Sequence, residues 1–267
     1  MDLGLQDKTV LVTGSNRGTG EGVVGVLARE GATILVHGPQ DGDSDAVVDA
    51  ITGAGGKAFA IAGDLTTDAG ADKAAGEALA ATGRVDVLVN NLGSAERGGW
   101  WDATSGDWIA MYEKNVLSAA RMIRLLVPQM RERGAGRVIQ IGTVGTTRPS
   151  AQMPHYYASK AALPGMTVSL AQELAGTGIT VNTISPGLIK TREVEEMFRR
   201  QGERKGWGAD WADIEKGIMT DFMSNPTGRV GLVEEVGNLV AFIASDKAGY
   251  INGANLRIDG GALDVVN

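Results

Sequence analysis

The chain contains no cysteine. Disulfides, thiolate nucleophiles and zinc–thiolate sites are therefore excluded. Histidine is scarce: His37 and His155 are the only two, too few for a histidine-rich metal site. No apolar run approaches the ~20 residues that a membrane helix needs. The N-terminal MDLGLQDK lacks a basic stretch followed by a long apolar one, so no secretory signal is visible. The expected location is the cytoplasm. An excess of positive charge is also missing. Twenty-five basic residues stand against 32 acidic ones, for a formal net charge of −7. That argues against nucleic acid or an anionic membrane as the main partner. A local basic group can still hold one phosphate.

What is present is a rhythm. Short apolar segments recur: KTVLVTG, ATILVHG, KAFAIAGD, VDVLVNN, GRVIQIGT, ITVNTIS and ANLRIDGG. Longer helix-like stretches separate them, among them one from about Ser105 to Arg133. Strand, helix, strand in this order predicts right-handed βαβ units and a parallel sheet. Strands that are almost wholly Val, Ile and Leu suit a sheet covered on both faces. The 267 residues contain nothing that looks like a linker. The expected fold is therefore α/β, a doubly wound parallel sheet of about seven strands in a single domain spanning 1–267. In such sheets ligands bind beyond the carboxyl ends of the strands.

Two motifs carry the chemistry. The first is TGSNRGTG, from Thr13 to Gly20, which follows an apolar strand and opens a helix. Gly14, Gly18 and Gly20 permit positive φ and a close approach of backbone to phosphate. That context suits a turn gripping a dinucleotide pyrophosphate. The second is Tyr156 with Lys160, four residues apart in YYASKAAL. Residues at i and i+4 share a helix face. A neighbouring ammonium is expected to lower the phenol's pKa from about 10 and make it a proton carrier near neutral pH. Tyr157 is three residues from Lys160 and reads as a packing residue.

In this order and spacing the motifs resemble the short-chain dehydrogenase/reductase family, in particular its 3-oxoacyl-acyl-carrier-protein-reductase-like members, over nearly the whole chain. TGSNRGTG matches the family's TGxxxGxG, and Asn90-Asn91-Leu92-Gly93 its NNAG with leucine for alanine. Asn115 in EKNV matches the helix asparagine, Tyr156 and Lys160 the YxxxK, and Pro186-Gly187 the PG element. The resemblance implies a Rossmann-type fold and interconversion of a carbonyl and a secondary alcohol with NADP(H) or NAD(H). It implies a catalytic set of Tyr156, Lys160, Thr143 and Asn115, with Asn115 propping open a water path behind Lys160. It implies a cofactor site made of Gly14, Ser15, Asn16, Arg17, Gly18, Thr19 and Gly20, then Gly38, then Asp64 and Leu65. Asn91, Gly93, Tyr156, Lys160, Pro186, Gly187 and Ile189 complete that site. A homo-oligomer, tetramer or dimer, built through two long helices ending near Arg133 and Gly176, is implied too.

Some positions leave alternatives. Asp64 reads either as an adenine contact or as a helix N-cap ahead of TTDAG. Asn91 can bond its own loop or a ribose. The family's usual serine, thirteen residues before the tyrosine, is Thr143 here, with Thr146 and Thr147 as alternatives. Threonine keeps the hydroxyl donor but adds a methyl that limits χ1. Pro164 falls inside the expected helix, where it removes a bond to the carbonyl of Lys160 and is expected to bend the helix. His155 is a possible general base by chemistry alone.

NADP(H) is the favoured cofactor. NAD-specific sheets place an acid at the end of the second strand, and Gly38 stands there. Arg17 can meet a 2′-phosphate, whereas Asp41 or Asp43 can fold back as the missing acid. The segment from about 190 to 225, charged and interrupted by Gly202, Gly206 and Gly208, is long for a connection. It reads as a substrate lid of low local stability, or else as a surface helical pair or subunit contact. Trp100 and Trp101 can line an apolar substrate pocket, while Trp108 reads as packing. The substrate is expected to be a small carbonyl compound or alcohol. Two other readings use the same residues: a dinucleotide-binding regulator without turnover, and a lyase or epimerase on the same scaffold.

Overall fold

The computed structural model describes residues 2–265. The elements in chain order are β1 (Thr9–Val12), α1 (Gly18–Arg29), β2 (Thr33–Gly38), α2 (Asp45–Gly53), β3 (Lys57–Ala62), α3 (Asp68–Thr82) and β4 (Val87–Asn90). Then come α4 (Ser105–Tyr112), α5 (Ser118–Arg133), β5 (Gly136–Ile141), α6 (Pro154–Glu173), β6 (Ile179–Pro186) and β7 (Ile189–Lys190). The chain finishes with α7 (Arg192–Lys205), α8 (Trp211–Asp221), β8 (Gly231–Leu232), α9 (Val233–Ala244) and β9 (Asn255–Ile258).

Seven strands form one sheet in the order β3-β2-β1-β4-β5-β6-β9, and all pairings are parallel. This is the doubly wound sheet that the apolar runs predict. Side chains alternate across it. Val10, Val12, Ile34, Val36, Val87 and Val89 pack toward α1, α2 and α9. Leu11, Leu35, Leu88, Val138 and Val181 pack toward α3, α5 and α6. Two covered faces are what near-continuous branched strands require. The strand order reverses between β1 and β4, so the crevice beyond their carboxyl ends is the place for a ligand. Among the described residues no helix is long and apolar enough to cross a membrane.

One expectation about the helices changes. The stretch from 105 to 133 is not one helix. A π-helical turn over Glu113–Leu117 separates α4 from α5. Asn115 sits in that turn, which accommodates a poor helix former better than a regular interior does. Pro164 lies inside α6, as expected, and the helix runs as one element from Pro154 to Glu173.

The segment between β7 and β8 is a folded helical pair. Phe198, Ile214, Ile218 and Val230 are buried in a core of its own, with Trp207, Trp211 and Met219 packed around them. Parallel pairing of Ile189 with Gly231 and Lys190 with Leu232 ties the entry of this segment to its exit. Its apolar residues meet only in the folded hairpin, so the charged exterior hid them.

Candidate active site

The glycine-rich loop leaves β1 at Val12 and enters α1 at Gly18. Gly14 and Gly18 have φ of 60° and 62°, the left-handed region that an L side chain rarely adopts. Gly20 does not share that conformation. It is glycine for space: a Cβ there would stand 2.6 Å from Asn91 Nδ2 and 2.6 Å from the Gly14 carbonyl oxygen. Arg17 precedes α1 without capping it. The first-turn N–H groups thus lack a side-chain partner, which is the arrangement that receives an anion.

Thr13 and Asn91 fasten this loop to the end of β4. Asn91 Nδ2 donates to the carbonyls of Thr13 and Gly14, at 2.9 and 3.0 Å. The Thr13 hydroxyl accepts the N–H groups of Asn91 and Leu92, at 3.0 and 2.9 Å. Of the two roles open to Asn91, the structure shows the one toward the loop backbone. Leu92, where the family motif has alanine, packs against Gly14, its Cδ1 lying 3.0 Å from the position of a Cβ there.

α6 brings Tyr156 and Lys160 onto one face, beyond the end of β5. Lys160 is buried, and its Nζ donates to the Ile141 carbonyl at 2.8 Å. Burial lowers its pKa to about 8. The Tyr156 phenol behaves opposite to expectation. Burial raises its pKa to about 12, and the hydroxyl of Thr143 opposes that rise. Four-residue spacing reveals the ammonium but not the desolvation, which favours the neutral phenol and sets the direction of the shift. Thr143 accepts the Gly145 N–H at 3.2 Å, which leaves its own proton to be donated elsewhere. Thr146 is committed otherwise, its hydroxyl donating to the Thr143 carbonyl at 3.0 Å. Thr147 is exposed. The ring of Tyr157 lies over Gly145, where a Cβ would come within 2.1 Å of it, in keeping with a packing role.

Asn115 is buried behind Lys160. Its Oδ1 accepts the Ser94 N–H at 3.0 Å, and its Nδ2 donates to the Ser94 carbonyl and to Ser159 Oγ, at 3.2 and 3.1 Å. Gly93 lies between them: a Cβ would stand 2.5 Å from Asn115 Oδ1 and 2.8 Å from Lys160 Nζ. Ser94 and Ser159 were not legible as partners, because each lies far from Asn115 in the chain.

The remaining positions line the same edge of the sheet. Asp64 follows β3 and accepts from both the N–H and the hydroxyl of Thr66, at 3.0 and 2.7 Å. The N-cap of α3 is Thr67 rather than Asp64. Leu65 is buried in the core and serves as packing. At the end of β2, Gly38 abuts the following turn: a Cβ would stand 2.6 Å from that of Asp43. Asp43 accepts the Gln40 N–H at 2.9 Å, and Asp41 pairs with Lys73 at 2.7 Å. Asp41 is thus drawn away toward α3, whereas Asp43 lies against Gly38 at the end of β2. Pro186 ends β6, Gly187 donates its N–H to the Ile258 carbonyl at 2.9 Å, and Ile189 is buried. Thr191 caps α7 and reaches over Gly18, its Cγ2 lying 3.9 Å from the position of a Cβ there. Trp101 is 97% exposed, while Trp100 packs on Trp108, with ring centroids 5.7 Å apart, and Trp108 faces His155.

Comparison with known proteins agrees with this geometry. The model of the short chain dehydrogenase family matches residues 8–202. The chain belongs to that family. An uncharacterized oxidoreductase of Bacillus subtilis, YvaG, is 34% identical over 98% of each chain. The 3-oxoacyl-[acyl-carrier-protein] reductase FabG of Escherichia coli is 33% identical over 97% of this chain and 98% of its own. L-Sorbose reductase of Gluconobacter frateurii, solved with NADPH and L-sorbose, superposes with a TM-score of 0.93 at 30% identity, over the whole of both chains. A 3-oxoacyl (acyl-carrier-protein) reductase from Agrobacterium tumefaciens with NADP bound gives a TM-score of 0.86 at 32% identity, over 97% and 95% of the chains. The chain is an oxidoreductase acting on the CH–OH/C=O pair.

Proposed function

We propose that the protein reduces a small carbonyl compound to a secondary alcohol, with Tyr156 as proton donor. The observation that carries this reading is the meeting of Thr143, Tyr156 and Lys160 beyond β5, beside the glycine-rich loop. NADP(H) is the favoured cofactor, as the NADPH and NADP in the two solved relatives support. The residues present fit it. Beyond Gly14 and Ser15, whose N–H groups are taken by His37, the loop to Gly20 offers free N–H groups, and Arg17 makes no side-chain hydrogen bond or ion pair among the described residues. Gly38 itself sets no carboxylate at the end of β2, and the carboxylate of the neighbouring Asp43 is engaged by the Gln40 N–H.

When bound, the cofactor supplies the hydride, and the protein contributes orientation and electrostatics. Tyr156, neutral at pH 7, holds the proton that the substrate oxygen needs. The Thr143 hydroxyl, its acceptor side occupied by Gly145, donates to the same oxygen. Lys160 spends one of its N–H donors on Ile141, which leaves two for the nicotinamide ribose. Asn115 holds the strand-end loop at Ser94, so that Gly93 can pass close to Lys160.

The α7–α8 hairpin is proposed as the substrate lid, because its first turn stands over the glycine-rich loop. A homo-oligomer is supported by the exposed apolar side chains Ile109, Leu117 and Val168, which lie on or between α4, α5 and α6. The test is a panel containing ketoses, L-sorbose among them, and 3-oxoacyl thioesters, followed by the absorbance of the reduced cofactor. Stoichiometric cofactor oxidation with alcohol formation is the expected result. Cofactor binding without turnover would instead favour a regulator. Product without net cofactor change would favour an epimerase or lyase.

A further inference from the structure

His37 takes no part in the chemistry proposed above, yet it is fully buried one residue from the end of β2. Its ring joins two backbone groups of fixed character. Gly14 N–H, which can only donate, points at Nδ1 at 3.0 Å. The Gly63 carbonyl, which can only accept, lies 2.9 Å from Nε2. The two bonds admit a single arrangement: a neutral imidazole with its proton on Nε2. The backbone of His37 is tied to the same loop. Its carbonyl accepts the Ser15 N–H at 2.9 Å, and its N–H donates to Ser15 Oγ at 3.0 Å. The Ser15 hydroxyl in turn donates to the Val12 carbonyl at 2.7 Å.

We propose that His37 is the positioning residue of the dinucleotide loop, holding Gly14 to the end of β3 through one neutral ring and so setting cofactor affinity. The proposal rests on the reading of residues 13–20 as a dinucleotide site. Gly14 is the first residue of the loop with positive φ, so the direction of every following N–H depends on it. A protonated ring is a donor at both nitrogens and cannot accept from Gly14. Burial works in the same direction and lowers the pKa to about 4. The charged groups that face the ring are Asp64, after β3, and Glu77 on α3, whose carboxylate accepts the Ala62 N–H at 2.8 Å. Both favour the imidazolium, and burial outweighs them. From the β1 side the ring meets the backbone of the loop itself.

The experiment uses the full-length protein in two arms. In the first, ring-nitrogen and amide NMR shifts are recorded without cofactor. Nitrogen shifts of the neutral Nε2–H form and a strongly slowed exchange of the Gly14 amide are expected. The Nδ1–H form, or an imidazolium at pH 7, would overturn the proposal. In the second arm, NADP⁺ affinity is measured by calorimetry for wild type, His37→Asn and His37→Leu. Leucine leaves the Gly14 donor unpaired, so the dissociation constant is expected to rise about tenfold while kcat changes less than twofold. Asparagine, whose Oδ1 can take the place of Nδ1, should recover most of that loss. From pH 7 to pH 4 the wild type should lose about twofold more affinity than His37→Asn, because the ring is half protonated at pH 4. The 2′-phosphate titrates in both proteins and cancels in the comparison. Equal affinities of wild type and a folded leucine variant, or parallel pH curves, would refute the role of His37. A wild type that binds neither cofactor would refute the dinucleotide reading instead, and with it this proposal's consequence for affinity. The first arm judges the clamp separately.

Discussion

Lys160 donates to the carbonyl of Ile141 at 2.8 Å, so the ammonium of the site is anchored to the last residue of β5. One neutral acceptor is poor compensation for a buried charge. The pKa of about 8 reports that cost. A folded-state pKa below the ordinary 10.5 means that this residue's contribution to stability is fullest above pH 10.5. That contribution is lost as the pH falls through about 8. Near pH 7 the penalty is of order 3 kcal/mol, at about 1.4 kcal/mol per pKa unit. Lys160→Met removes it and leaves Ile141 unpaired, which returns about 1 kcal/mol. The variant should therefore melt a few degrees higher at pH 7 and lose turnover. Calorimetry at pH 7 and pH 10 checks this, with the advantage of methionine shrinking at the higher pH.

Tyr156→Phe removes only the proton donor. Turnover should fall by at least a hundredfold, with cofactor affinity unchanged. Tyr157→Phe, whose ring packs over Gly145, should retain activity. Steady-state kinetics on both variants decides, and a dead Tyr157→Phe beside an active Tyr156→Phe would reverse the assignment.

The raised pKa of Tyr156 separates the two directions of reaction. Reduction needs the neutral phenol, which burial secures to about pH 12. Oxidation of the alcohol needs the phenolate. From pH 7 to 10 the oxidative kcat should climb, while the reductive kcat stays level or falls. Parallel profiles in the two directions would dissociate Tyr156 from the proton.

Thr143 is tested by three substitutions. Ala and Val should each cost on the order of 3 kcal/mol of transition-state stabilisation, roughly a hundredfold or more in rate. Ser should stay within a few-fold of wild type, because the donor remains. An active Thr143→Val enzyme would reduce this residue to a packing group.

Cofactor choice is tested at Arg17 and Gly38. Arg17→Ala should raise KM for NADPH about tenfold and leave KM for NADH nearly unchanged, since a charge-assisted bond to the 2′-phosphate is all that is lost. Gly38→Asp should fail as a simple switch to NADH. Its Cβ would meet Asp43 at 2.6 Å, so the turn must shift and the melting temperature should drop.

The parts of this molecule that were legible in its residues depend on short separations. Val10 to Val12 read as strand because every side chain there is apolar. Tyr156 and Lys160 read as a pair because four residues are one helical turn. What stayed hidden depends on distant segments. The rise in the Tyr156 pKa comes from what covers the phenol, not from Lys160. The π-helical turn around Asn115 shows no local signature. His37 appeared only as one of two histidines, although its place at a strand end after LV and before glycine is where such a ring reaches the glycine-rich loop. Phe198 looked like one aromatic in a charged stretch until Ile214, Ile218 and Val230 closed around it.

That small core has a consequence for how the protein can change. The chain enters the α7–α8 hairpin at Lys190 and returns beside it at Gly231, joined by two residue pairs. A segment with neighbouring ends and an interior of its own is a cassette. Its outer surface can be rewritten, or the whole piece exchanged with that of a relative, without repacking the sheet that holds Tyr156 and Lys160. If the hairpin is the lid proposed above, chemistry and selectivity sit on separately heritable parts, and new specificities can arise here while the reaction itself stays the same.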